Sequence, residues 1–162
     1  MSNTVTVGIA DLNVVKSPDI LVTYALGSCV GICLYDNVTK IAGLSHILLP
    51  NSRDMMAGRT QEMKFADTAI PALVRKMEMM GARQVCLRAK IAGGAQMFAG
   101  VNNSSLANIG QRNVMAVKMA LSSLRIPILA EDTGKDYGRT LYFSGADGSM
   151  RIKSVNKGEW VW

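Results

Sequence analysis

Two apolar runs separated by a turn do most to limit how this chain folds. Val30-Gly31-Ile32-Cys33-Leu34-Tyr35 and residues 40–49 are rich in strand-forming residues, Asp36-Asn37 between them signals a turn, and Pro50 ends the second run. Such a pair reads as two adjacent antiparallel strands. Val5, Val7 and Ile9 alternate with Thr4, Thr6 and Gly8, the period of a half-buried strand. Ile20-Leu21-Val22-Thr23-Tyr24 is another strand run, stopped by Gly27. Residues 85–91 read as a strand entering Gly93-Gly94, and residues 126–130 as a short buried one. Residues 140–143 and 150–153 flank Asp147-Gly148, a hairpin signal.

Helical periodicity appears twice. Phe65, Ala66, Ala69, Ile70, Leu73, Val74 and Met77 share one face, with Asp67 or Thr68 as a candidate cap and Gly81 as the stop. Pro71 suits a helix that starts near Asp67; a start near Lys64 predicts a kink. Val114, Val117, Leu121 and Leu124 define a second helix over residues 110–124. This order of elements predicts one α/β (α+β) domain spanning residues 1–162, with helices packed on sheet. Residues 51–61 and 102–108 read as polar loops, the first a candidate gate.

Composition narrows the function classes. With 49% hydrophobic and 19% charged residues among 162, a disordered chain is excluded. The formal charge of +6 favours an acidic partner. Basic residues are scattered and aromatics are only 6%, which argues against nucleic acid and for an acidic protein surface. The longest notable uncharged stretch, 16 residues between Asp19 and Asp36, is shorter than the roughly 18 of a spanning helix. The first residues lack the pattern of a secretory signal, so a cytoplasmic protein with no membrane insertion is expected. Three cysteines without Cys-x2-Cys spacing and one histidine predict neither a disulfide framework nor a metal site.

Cys29 and His46 lie about equally far on either side of the turn near residues 36–39, so hairpin pairing brings them close. That is the arrangement a thiol nucleophile and its base require. The imidazole takes the thiol proton to give a thiolate–imidazolium pair, then returns it to a leaving group. Gly27 before the cysteine suits a sharp turn and close substrate approach. Backbone N–H groups around Ser28 suit an oxyanion. Thr23 is a candidate for orienting the imidazole. A cysteine in an apolar strand also reads as a small buried hydrophobe, the reading taken for Cys33 and Cys86. Gly93-Gly94 reads as a turn or bulge, and Arg112-Asn113 as a solvated helix start.

Several blocks together carry a resemblance. Leu26-Gly27-Ser28-Cys29-Val30, the run from Ala42 through Ser45-His46 to Pro50, and Phe65-Ala66-Asp67-Thr68-Ala69 resemble the CheD family of chemoreceptor glutamine deamidases. So do Ile91-Ala92-Gly93-Gly94-Ala95-Gln96-Met97-Phe98, Asn108-Ile109-Gly110-Gln111-Arg112-Asn113 and Glu131-Asp132-Thr133-Gly134. The resemblance implies a protein-glutamine glutaminase acting on methyl-accepting chemotaxis receptors. Cys29 is then the nucleophile, His46 the base and Thr23 the orienting residue, with no cofactor and no metal. It implies a layered α/β/β/α sandwich similar to the catalytic domain of cytotoxic necrotizing factors. It also implies binding to a CheC-type phosphatase of phosphorylated CheY. One departure is Gly134-Lys135, where the family usually has two glycines. Two other classes stay open: a non-catalytic stimulator of a CheC-type phosphatase, and a redox-sensing or structural protein whose thiols are buried. A catalytic Cys29 is expected to alkylate fast near neutral pH. Phe98 and residues 101–108 are candidate contacts for the phosphatase.

Overall fold

The computed structural model describes residues 2–54, 61–97 and 108–162. These form β1 (Thr4–Thr6), β2 (Asp11–Lys16), β3 (Ile20–Leu26), β4 (Val30–Asp36), β5 (Ile41–Ile47), α1 (Ala66–Met79), β6 (Leu87–Gly93) and α2 (Ile109–Ser123). β7 (Ile128–Thr133), β8 (Arg139–Ser144), β9 (Met150–Ser154) and β10 (Gly158–Val161) complete the order. The strands make two five-stranded sheets, β2-β5-β4-β6-β7 and β1-β3-β8-β9-β10.

The central strand β4 shows how the layers are set. All seven of its residues are buried, as a strand covered on both faces requires. Val30, Ile32 and Leu34 join the cluster that holds Leu73 and Met77 of α1 and Val117 and Leu121 of α2. Cys33 and Tyr35, together with Cys29 just before the strand, join Leu21, Leu26, Leu141 and Phe143 of the other sheet. One strand thus separates a helical core from an inter-sheet core.

The layers among the described residues are α/β/β. The resemblance implies a further helical layer, but α1 and α2 both lie on the β4 sheet, and no described helix covers the outer face of the β8 sheet. The reason is visible in the strands. β8 and β9 alternate buried Leu141, Phe143, Met150 and Ile152 with more exposed Tyr142, Arg151 and Lys153. Arg151 stacks 4.1 Å from the Tyr142 ring centre on that outer face. A sheet with one polar face is stable against water.

Local details differ from the periodicity. β2 and β10 were not anticipated, because one mixes buried residues with polar Asp11, Asn13 and Lys16 and the other is a mostly exposed edge. α1 is capped by Phe65 without a side-chain bond, not by Asp67 or Thr68. Asp67 instead accepts from Ser52 N (2.9 Å) and Ser52 Oγ (2.7 Å), and Thr68 Oγ1 donates to Glu62 O (2.5 Å). Both side chains are taken up in tying the preceding segment to the helix. Pro71 lies inside the helix, which starts at Ala66. Gly81 ends it as expected, with φ 113° and bonds from Gly81 N to Glu78 O and from Ala82 N to Met77 O.

A buried carboxylate locks the sheets together at one edge. Asp132 on β7 accepts from Arg139 Nε on β8 (2.8 Å), and both side chains are almost fully buried. Trp160 Nε1 and Trp162 Nε1 donate to its other oxygen, and Arg139 Nη2 donates to Gly134 O at 3.0 Å. Removing one partner of a buried pair leaves a charge without compensation. Asp132→Ala is therefore expected to lower the unfolding free energy in urea by about 3–5 kcal/mol. The double replacement Asp132→Leu with Arg139→Met recovers most of that loss.

Candidate active site

Cys29 sits at the end of a tight loop between β3 and β4. The loop leaves β3 through a bulge after Thr23, and Ala25 takes φ 60°. The left-handed residue is thus Ala25 and not Gly27, whose N–H turns back to Ala25 O at 3.1 Å. Gly27 matters for space instead: a Cβ there would lie 3.2 Å from Met97 Cγ. The loop is pinned from β6. Gly94 N donates to Cys29 O (2.8 Å) and Ala95 N to Gly27 O (2.9 Å). Gly93 has φ 111°, and a Cβ there would lie 2.2 Å from Cys29 O. Only glycine lets the cysteine carbonyl approach so closely. The double glycine expected to be a turn is the seat of the cysteine loop.

The strand register places the thiol and the imidazole. Gly31 faces His46 and Val30 faces Ile47 across β4 and β5. Cys29, two residues before Gly31, is therefore the diagonal neighbour of His46 on the inter-sheet face. Such neighbours lie on the order of 7–8 Å apart at Cα and closer at Cβ. Gly31 adds no side chain between them. The register thus puts the two residues on one sheet face, one diagonal apart, and no hydrogen bond joins Cys29 Sγ to His46 Nε2.

The imidazole is oriented by a chain of three groups. Thr23 Oγ1 lies 2.7 Å from Val7 O and 2.7 Å from His46 Nδ1. A carbonyl only accepts, so the single hydroxyl hydrogen goes to Val7. The hydroxyl oxygen must then accept from Nδ1–H. This fixes the tautomer and leaves a lone pair on Nε2, which is buried and has no hydrogen-bond partner among the described residues. Thr23 thus meets the imidazole directly, and Val7 is a member of the chain that sequence reading did not single out. Its only signal was the apolar alternation of Val5, Val7 and Ile9, read as a strand that ends at Thr6 in the structure.

Electrostatics favour neutral partners. His46 is 0% exposed, and burial lowers its pKa to about 4. Cys29 is 7% exposed, and burial raises its thiol, an effect partly offset by its own backbone N–H. A resting thiolate–imidazolium pair, as the sequence suggested, is disfavoured at both ends. The chemistry available is transfer of the thiol proton to Nε2 as the sulfur attacks an electrophile.

Other sequence expectations fall elsewhere. Ser28 is half-buried, and its carbonyl accepts from Asn113 Nδ2 at 2.9 Å. Asn113 itself is 0% exposed, so it is not part of a solvated helix start. Cys33 is fully buried as expected, but Cys86 is only half-buried. It lines a cavity of about 510 Å³ with Tyr35, Arg88 and Lys90, at the end of β4 away from Cys29. Lys135, in place of the family glycine, keeps φ 64°, the region glycine favours. Phe98 and residues 101–107 lie outside the described residues, as do residues 55–60 of the expected gate.

Two measurements follow from these charges. His46 binds a proton more weakly folded than unfolded, so its contribution to stability is complete above about pH 6.5 and is lost as pH falls through about 4. The stability difference between wild type and His46→Gln is expected to shrink by about 3 kcal/mol from pH 7 to pH 4 in urea titrations. Iodoacetamide at pH 7 is expected to modify the half-buried Cys86 first and Cys33 last, with Cys29 slow, not fast as expected of a resting thiolate, because burial keeps its thiol protonated; peptide mass spectrometry reads the order.

A family model described as CheD chemotactic sensory transduction matches residues 48–154, beginning just after His46. The chain is 50% identical over 162 residues to "Chemoreceptor glutamine deamidase CheD" of Halalkalibacterium halodurans, covering 98% of each chain. It is 54% identical over 152 residues to the "Probable chemoreceptor glutamine deamidase CheD" of Clostridium botulinum, covering 94% of this chain and 93% of that one. Among solved structures, a Neisseria meningitidis protein of family-model DUF152 shares the fold at TM-score 0.50 and 9% identity, covering 82% of this chain and 64% of that one. With half of its residues shared along nearly the whole length of curated relatives, the chain belongs to the CheD family.

Proposed function

We propose that this protein is a chemoreceptor glutamine deamidase, a glutaminase of bacterial chemotaxis that converts receptor glutamine side chains to glutamate. Cys29 is the nucleophile, His46 the base and Thr23 the orienting residue. The observation that carries the assignment is the Val7–Thr23–His46 chain, which leaves the Nε2 lone pair free on the sheet face that also bears Cys29. The names printed for the relatives supply the substrate class.

The reaction runs in two halves. The receptor carboxamide enters beside Gly27 and Ser28. Cys29 Sγ attacks the amide carbon while its proton moves to His46 Nε2, and backbone N–H groups near Ser28 and Cys29 hold the oxyanion. The imidazolium returns the proton to the departing nitrogen, so ammonia leaves and a thioester remains. Water then attacks the thioester. Its proton passes to Nε2 and on to the sulfur, releasing glutamate and the thiol. Charge develops only as substrate bonds change, which suits two groups that burial keeps neutral.

The +6 charge suits an acidic receptor helix bundle. The wider reading is one cytoplasmic domain over residues 1–162, akin in fold to the catalytic domain of cytotoxic necrotizing factors. No described helix is long and apolar enough to cross a membrane. A CheC-type phosphatase is a second partner, whose binding is separable from catalysis: Cys29→Ala is expected to keep it.

The test is incubation with a receptor cytoplasmic fragment and mass spectrometry of its peptides. Gln-to-Glu conversion is expected with wild type and more than about 10³-fold less with Cys29→Ala. Thr23→Val is expected to lose at least tenfold and Thr23→Ser to recover most of it. kcat/KM is expected to stay level down to about pH 5 and to fall near 4, where His46 protonates. An alkaline limb where the imidazolium loses its proton would instead mark a resting ion pair, an acid limb at pH 6–7 would mark an imidazole of ordinary basicity, and no conversion by wild type would overturn the assignment.

A further inference from the structure

The backbone ladder between β4 and β5 includes His46 but stops one residue short of Cys29. Val30↔Ile47 is the last rung of β4–β5. Beyond it Cys29 O accepts from Gly94 N (2.8 Å), and Leu48 N donates to Lys64 O (2.9 Å). The two chains part where the nucleophile begins.

Asn113 of α2 bridges that gap. Its Nδ2 donates to Ser28 O at 2.9 Å and to Leu48 O at 3.1 Å. Two carbonyl oxygens beside one terminal atom require that atom to be nitrogen, so both amide hydrogens are used. Ser28 immediately precedes Cys29, and Leu48 is two residues past His46. Asn113 also occupies the stripe of Val117 and Leu121, both fully buried against the sheet. A packing position there calls for an apolar side chain. An amide is present instead, and its buried Oδ1 has no partner among the described residues. A stranded oxygen opposes folding, so the two donated bonds, not packing, account for the residue.

We propose that Asn113 is a positioning residue for deamidation: a side-chain rung that sets the distance between Cys29 Sγ and His46 Nε2 from the helical side of the sheet. It touches neither reacting group. The proposal rests on the deamidase reading and adds a requirement to it.

The test compares Asn113→Leu and Asn113→Asp with Val117→Ala, which loosens the same helix without touching the bridge. With the receptor fragment, both Asn113 variants are expected to lose roughly 10²-fold in kcat, the scale of a 1 Å misplacement, with KM within about twofold. Val117→Ala is expected to keep kcat within about twofold. Asn113→Asp keeps shape and polarity but loses the donor pair, so it carries the test if Asn113→Leu does not fold. A second readout needs no turnover: iodoacetamide modification of Cys29 is expected to quicken several-fold in the Asn113 variants and not in Val117→Ala. Wild-type kcat and alkylation in the Asn113 variants, or equal losses in Val117→Ala, would overturn the proposal. An inactive wild type would instead overturn the deamidase reading, and the alkylation contrast would still report whether Asn113 holds the loop.

Discussion

The Thr23 hydroxyl has one hydrogen, and Val7 O takes it. Because of that, His46 must donate through Nδ1, and its other nitrogen faces the inter-sheet space as an acceptor. Thr23 lies on β3 and His46 on β5, which belong to different sheets. The tautomer therefore depends on how the two sheets are docked. Asp132 and Arg139 hold the docking at one edge, and Leu21, Leu44, Leu141 and Phe143 fill the space between. Parts of the fold distant in sequence thus meet in the state of one ring.

Burial is what makes that ring chemically usual or unusual. A histidine and a cysteine in water would titrate within reach of neutrality. Here low polarity lifts one and lowers the other, so both rest uncharged. Such a pair is quiet until an electrophile arrives. A thiol held this way is also shielded from casual oxidation, because oxidants attack the thiolate.

Much of the architecture was legible in the residues. β-branched runs marked β3, β4 and β5, and 3.6-residue periodicity marked α1 and α2 within a residue or two of their ends. The hairpin turn brought Cys29 and His46 together on sequence grounds, although the diagonal offset needed the register. What stayed hidden was set by tertiary contacts. Asp67 looks like a helix cap but serves Ser52. Asn113 looks like a polar helix residue, and nothing local says that two carbonyls from distant loops converge on it. The uncharged resting pair was also out of reach, since desolvation depends on what covers a residue and not on its neighbours in sequence.

The position of Gly93 has a consequence for how such a site comes into being. Its missing side chain admits the Cys29 carbonyl, yet it lies more than sixty residues further along the chain. Thr23 likewise waits for a strand from the opposite sheet. Contacts this distant in sequence close late, after their loop entropy has been met. A partly synthesised or partly folded chain therefore holds a cysteine and a histidine but no aligned pair, so the reactive arrangement exists only once folding is complete.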